Sequence, residues 1–299
     1  MSYSRNRLES GPARWYDWTH PEGKDKMNEQ ELKECRELAK KIRQHTLRMV
    51  CAGKSGHIGS MLSTADIYPV LYKMFLKVDP KNPKWEDRDR FLLSKGHGGA
   101  ALLACLAECG FFPKDWLNRY YCDDGKLSGH ISHHIPGVEF STGSLGHGLP
   151  VACGMAMAAK RDGKSHRIVV MSSDGDLNEG STWEAIMLAG QHHYDNLTML
   201  VDYNRIQALG YSKDIIDLEP LGAKLEMFGW KAVEVDGHDP EAIEAALLKL
   251  PLEKGKPSAI ICRTTKGKGV SFMENEYKWH YGGLTEELRD KALAEVEAM

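Results

Sequence analysis

The feature that most restricts this chain is a set of β-rich runs without the alternation of a half-exposed strand. Ile-Val-Val-Met-Ser at 168–172, Leu-Thr-Met-Leu-Val-Asp at 197–202 and Ser-Ala-Ile-Ile-Cys-Arg-Thr at 258–264 are nearly continuously apolar, and Lys-Ala-Val-Glu-Val-Asp at 231–236 is a fourth, more polar run. Helix-length segments separate them. Strands of this kind are expected where helices cover both faces of a parallel sheet. The expected fold class is therefore α/β, a doubly wound, mainly parallel sheet flanked by helices.

The first half supplies the remaining elements. Charge and apolar spacing predict an amphipathic helix over 28–49, followed by the glycine-punctuated loop CAGKSGHIGS. A second helix is expected over about 64–75, and a short strand over FLLS at 91–94. SKGHGGAALLACLAECG and STGSLGHGLPVACGMAMAAKRDG each read as a loop opening a small-residue helix, the second with Gly163 as its stop. The first 27 residues, with Trp15, Tyr16 and Trp18, are expected as an irregular arm, and 28–299 as one α/β domain that ends in an amphipathic helix.

Bulk properties exclude several function classes. A net charge of -3 provides no broad basic surface for nucleic acid, and no apolar run approaches the roughly 20 residues of a membrane helix. The opening MSYSRNRLESGPARWYDW has no apolar segment of a secretory signal, so a cytoplasmic protein is expected. Seven scattered cysteines form no CxxC pair, and reduced thiols are expected; Cys105 and Cys109 share a helix face as packing.

In an open parallel sheet, ligands bind beyond the carboxyl ends of the strands. The run at 168–172 leads into SSDGDLNEG, and the run at 197–202 leads into DYNRI, so Asp174 and Asn204 are expected at neighbouring strand ends. A carboxylate and an amide oxygen there are hard ligands for Mg2+ or Ca2+ and leave positions open for phosphate oxygens. Gly175 permits close backbone approach. Taken singly, Asp174 as a turn cap and Asn204 as a loop residue are ordinary structural alternatives.

The stretch from Asp174 to Asn204 resembles the thiamine diphosphate motif, and its surroundings resemble transketolase: Glu179-Gly180, Glu184-Ala185 and Ala189-Gly190, together with PGVEFSTGSLGHG and VACGMAMA. The likeness runs from about Ala39 to Gly283. It implies the diphosphate-binding domain of the thiamine-diphosphate fold, with thiamine diphosphate and Mg2+ (or Ca2+) as cofactors. Asp174, Asn204 and the carbonyl of Ile206 then match the metal ligands, and His97 and Gly175 the diphosphate contacts. Gly143, Ser144 and Leu145 match the loop at the cofactor's rings. His57, His130 and His280 match histidines that meet substrate hydroxyls and move protons, and His280 also reaches the cofactor. Groups titrating near neutrality suit that role. Glu179 and Glu184 match acidic residues at the subunit interface that connect two cofactor sites. Ser173 stands where the family has a first glycine, and Asp202-Tyr203-Asn204 where some relatives have paired asparagines.

Single-chain members continue into a pyrimidine-binding domain that carries a glutamate essential to cofactor activation. The resemblance therefore implies a separate C-terminal subunit, two copies of each chain around a twofold axis, and transfer of a two-carbon ketol unit from a ketose, usually phosphorylated, to an aldose. Competing readings are the α subunit of a 2-oxo acid dehydrogenase, a magnesium-dependent phosphoryl enzyme using Asp174 and Asp176, and a non-catalytic subunit. His45, His147, His166, His192, His193 and His238 are expected in structural roles, and His133 and His134 on a surface loop.

Overall fold

A computed structural model describes residues 26–299, so nearly all of the expected arm lies outside the described residues. Helix α1, Glu29–Ala52, opens with a capping box: the Asn28 side chain accepts from the Glu31 N–H, and the Glu31 carboxylate accepts from the Asn28 N–H. Short helices α2, Ile58–Leu62, and α3, Ile67–Val70, follow, and α3 runs into a π-turn at Leu71–Phe75. The single helix expected over 64–75 is thus broken. Pro69 has no N–H and crowds the carbonyl four residues back, so it is tolerated in the first turn of a helix starting at Ile67 but not in one already under way from Thr64.

Strand β1, Arg90–Leu93, leads through a 3-10 turn into α4, Gly99–Glu108, and then α5, Gly148–Arg161. Helix α4 is buried on nearly all sides, as its uniformly apolar sequence requires. Helix α5 ends as expected: Gly163 takes φ +65°, and the N–H of Lys164 donates to Ala159 O at 2.9 Å, closing a Schellman turn. There follow β2, Ile168–Ser173; α6, Gly180–Gln191; β3, Leu197–Tyr203; α7, Ser212–Ile215; α8, Leu221–Met227; β4, Lys231–Asp236; α9, Pro240–Leu247; β5, Ser258–Arg263; and α10, Glu286–Glu297.

All five strands are parallel, in the order β1-β2-β3-β5-β4. Alternate residues of each inner strand enter opposite cores. Val169, Met171, Leu200 and Ile260 meet α1, α4 and α9, whereas Ile168, Val170, Val201 and Ile261 meet α5, α6 and α8. Fully burying such a side chain contributes about 1.5–3 kcal/mol. The apolar runs read from the sequence are therefore the strands covered on both faces. The more polar run is β4, the edge strand, which is only partly buried. Because the chain passes from β3 out to β4 and returns to fill β5, the carboxyl ends of β1, β2, β3 and β5 stand side by side.

Candidate active site

Each of those strand ends delivers polar groups to one cleft of about 280 Å³. Beyond β1 come Lys95 and His97; beyond β2, Asp174 and Gly175; beyond β3, Asn204 and Ile206; beyond β5, Lys266. The pairing of Ser173 with Asp202 sets the turns after β2 and β3 level with each other.

The turn after β2 is shaped by Asp176, whose carboxylate accepts from the N–H groups of Ser173 and Gly146, both at 3.0 Å, and from Ser94 Oγ at 2.7 Å. Asp176 is thus consumed internally, contrary to a phosphoryl enzyme in which both aspartates would face a substrate. Asp174 instead lines the cleft. It is buried, and its carboxylate accepts from the Gly175 N–H at 3.0 Å and Ser212 Oγ at 2.7 Å. Among the described residues it forms no ion pair. Burial pushes its pKa up to about 6 against the lowering effect of the Ser212 hydrogen bond.

After Asn204, Arg205 adopts φ +64°, and an antiparallel bridge between Ile206 and Tyr211 folds the chain back. The hairpin returns Ile206 to the cleft and leaves Leu209 at its lip, 86% exposed. Lys266 Nζ donates to Ile206 O at 2.8 Å and to His280 Nδ1 at 2.9 Å. A lysine ammonium has no acceptor, so His280 receives at Nδ1 and carries its hydrogen on Nε2. Burial lowers the Lys266 pKa to about 8, although Asp174 opposes that shift.

The other end of the cleft is built from imidazoles. His57 lies 5.0 Å from both His97 and His280, and 5.8 Å from His130, between ring centroids. Its backbone is left-handed, φ +71°, where it precedes α2, and its N–H donates to His280 O at 2.6 Å. Such a backbone costs on the order of 1 kcal/mol or more for a residue other than glycine. Burial, together with the charges of His130 and Lys266, lowers the His57 pKa to about 4. Burial, Lys266 and His57 bring His280 down to about 3, and burial with Lys95 holds His97 well below its usual value. The expectation of titration near neutrality is therefore corrected for His57 and His280: with His97 they are neutral imidazoles at pH 7, because charging any one means desolvating it beside other cations.

Most residues singled out from the sequence meet here: His57, His97, His130, Gly143, Leu145, Asp174, Gly175, Asn204, Ile206 and His280 all line the cleft. A Cβ on Gly175 would come within 3.1 Å of Leu145 Cδ1, the end of a flexible side chain. Ser144 is exposed and does not line the cleft. Glu179 and Glu184 are exposed on the first turns of α6, with Glu179 packed against Gly146. Sequence reasoning missed Lys266, Ser60, Gln207, Leu209 and Tyr281 as lining residues. Lys266 had a usable signal, since it follows an apolar strand run and precedes a glycine, the same placement that marked Asp174. His238 is structural as expected, bonded to Asp66 at 2.7 Å and to the Thr265 N–H at 2.8 Å, and His133 and His134 are exposed.

A parallel sheet with an oxygen-rich pocket at one end of its carboxyl rim and clustered imidazoles at the other defines a cofactor-binding α/β domain. Residues 35–294 match the family model described as transketolase, thiamine diphosphate binding domain, and the chain belongs to that family. It is 45% identical to one of the subunits of the apulose-4-phosphate transketolase of Actinobacillus succinogenes, over 76% of this chain and 82% of that protein. It is 40% identical to a 6-deoxy-6-sulfo-D-fructose transketolase subunit from a Clostridium species, over 91% of this chain and 98% of that one. The crystal structure of transketolase from Campylobacter jejuni superposes with a TM-score of 0.84 at 36% identity, covering 91% of this chain but 43% of that chain. The chain thus spans less than half the length of the solved transketolases that it matches.

Proposed function

We propose that this chain is the cofactor-binding subunit of a two-chain transketolase, in which residues 28–299 form the diphosphate-binding domain and a separate C-terminal subunit completes the active site. The observation that carries the metal-dependent part is Asp174, a buried carboxylate without an ion-pair partner among the described residues, beside Asn204 and the carbonyl of Ile206. An uncompensated buried carboxylate is costly unless a cation joins it. The three oxygens suit Mg2+ or Ca2+, and a site with one carboxylate leaves room for diphosphate oxygens and water. The donor set therefore fits the expected group. The names of the relatives in Actinobacillus and Clostridium, both called subunits, support the two-chain arrangement.

Thiamine diphosphate, when bound, supplies an electron sink for cleaving a carbon–carbon bond next to a carbonyl. The chain's own part is to hold and to move protons. Asp174, Asn204 and Ile206 would hold the metal and through it the diphosphate, with Gly175 and His97 beside it. Gly143 and Leu145 would face the cofactor rings. His57, a neutral imidazole, is placed beside His130 to accept a proton from a substrate hydroxyl, and His280, held at Nδ1 by Lys266, to donate from Nε2. Glu179 and Glu184, exposed on α6, are the residues proposed to meet the other subunit. We propose a cytoplasmic assembly of two copies of each chain, acting on a sugar phosphate or a related ketose and an aldose.

The test is to mix the chain with the product of a neighbouring gene of similar length, thiamine diphosphate and Mg2+, and to follow ketol transfer between sugars. Transfer is expected from the mixture and from neither chain alone. Decarboxylation of a 2-oxo acid in place of ketol transfer would overturn the reading.

A further inference from the structure

Beneath the proposed metal site lies an ion pair fully removed from solvent. Lys95, just beyond β1, and Asp202, near the end of β3, are each 0% exposed, with Nζ 2.5 Å from Oδ2. The lysine also donates to Ser60 O at 2.6 Å. The carboxylate accepts further hydrogen bonds from Ser63 Oγ at 2.7 Å, Thr264 Oγ1 at 2.5 Å and Asn204 Nδ2 at 3.0 Å. A single carboxylate thus ties together the chain around α2 and the ends of three strands.

Stability alone does not account for such an arrangement. Replacing a buried ion pair by apolar groups of similar volume is often neutral or stabilising. What the pair supplies is direction. An ionised carboxylate can only accept, so the Asn204 amide must turn its NH2 toward Asp202. Its oxygen is then left on the opposite side, where the Ile206 N–H approaches it at 3.1 Å. A neutral amide at position 202 could either donate or accept and would leave the Ile206 N–H as the remaining group that selects the orientation of Asn204. Lys95 Nζ, 2.5 Å from Oδ2, and the hydroxyls of Ser63 and Thr264 all donate to this carboxylate, so it offers Asn204 acceptor oxygens only.

We propose that the Lys95–Asp202 pair is a positioning device that locks the Asn204 amide with its oxygen presented to a divalent metal. The pair touches neither metal nor substrate itself; it acts through Asn204. This rests on the reading of Asn204 as a metal ligand, and the test separates the two.

The probe is Mn2+, followed through the electron paramagnetic resonance signal of the free ion as it is titrated into the full chain with thiamine diphosphate. Lys95→Met combined with Asp202→Asn removes both charges while keeping volume, and Asn204→Ala is the reference. The double variant is expected to melt within a few degrees of the natural chain yet to bind Mn2+ about tenfold more weakly, the scale typical of losing a partner that orients a ligand. Natural affinity in a folded double variant, with Asn204→Ala impaired, would overturn the positioning role alone. Natural affinity in Asn204→Ala would overturn the metal reading beneath it. Should the double variant not fold, side-chain amide NMR of the natural chain decides: the Asn204 NH2 protons are expected to be protected from exchange before any metal is added. Rapid exchange, followed by protection only on metal binding, would show that the ligand is not locked in advance.

Discussion

The two ends of the cleft are built on different principles. At the oxygen end, Asp174, Asp176, Asp202 and Asn204 sit on strand tips, and each is held by at least two hydrogen bonds. At the imidazole end, His57, His97, His130 and His280 arrive from loops and from short helical turns, and meet mainly through ring contacts. The first arrangement fixes oxygen positions, as a metal with defined geometry demands. The second brings polarisable imidazoles together, with His280 held in one tautomer by Lys266, which suits proton transfer to a changing substrate.

That contrast can be broken most directly at the oxygen end. Asp174→Ala should weaken Mg2+-dependent binding of thiamine diphosphate by at least about 100-fold, more than the roughly 10–100-fold typical of changing a partner that only orients a ligand. Titration calorimetry reads it, and an unchanged affinity would remove the oxygen end from cofactor binding.

At the imidazole end the expected loss lies in turnover. His57→Asn should lower kcat of the assembled enzyme by roughly 100-fold, at the low end of what a general acid or base contributes. Asparagine tolerates the left-handed backbone at φ +71°, so the fold is expected to survive. Cofactor affinity should stay within a few-fold; a large drop there, with turnover intact, would erase the distinction between the two ends.

The ends should also differ in the sign of their pH dependence. For His57 the folded pKa lies near 4, below the ordinary value of 6.5, so the unfolded chain binds more protons between those values. Its contribution is complete above about pH 6.5 and is lost as the pH falls toward 4. Asp174 is the reverse: with a folded pKa near 6 against 3.8, its contribution is present below about 3.8 and is lost as the pH rises through 6. Melting of the metal-free chain from pH 4 to 7.5 should therefore show a low-pH loss that His57→Asn flattens and a loss toward neutrality that Asp174→Asn flattens. Identical profiles in all three proteins would show that neither group is perturbed as described.

The smallest effects are expected outside the cleft. Glu179→Gln and Glu184→Gln, at exposed positions, should each change the stability of the isolated chain by no more than about 0.5 kcal/mol. Sedimentation with the partner subunit should nonetheless reveal weaker assembly; assembly unchanged in both would remove these residues from the interface.

The oxygen end was the more legible in the sequence. Asp174 and Asn204 each close an apolar strand run, so the run that predicted the strand also located the cleft residue. Lys266 obeys the same rule after β5 but carries the opposite charge from a metal ligand, and a search for acidic and amide groups passes over it. The bond between Lys95 and Asp202 was not legible, because their meeting depends on β1, β2 and β3 lying side by side. The imidazole end was legible as composition and misjudged as chemistry: the histidines were found, but the neutral state of His57, His97 and His280 follows from burial and from nearby lysines, neither visible in local sequence. The break at Pro69 had a local signal, a residue without an N–H inside the expected helix.

One margin of the sheet also bears on how the molecule meets others. Edge strand β4 carries Lys231, Glu234 and Asp236 among its six residues, and Glu234 is already engaged by Arg263 of the neighbouring strand at 2.8 Å. A second molecule adding a strand there would have to stack its own backbone beside those charges, which discourages the ladder from continuing from one copy to the next. The margin is self-terminating, a safeguard against fibrous growth written into the least apolar of the five strands.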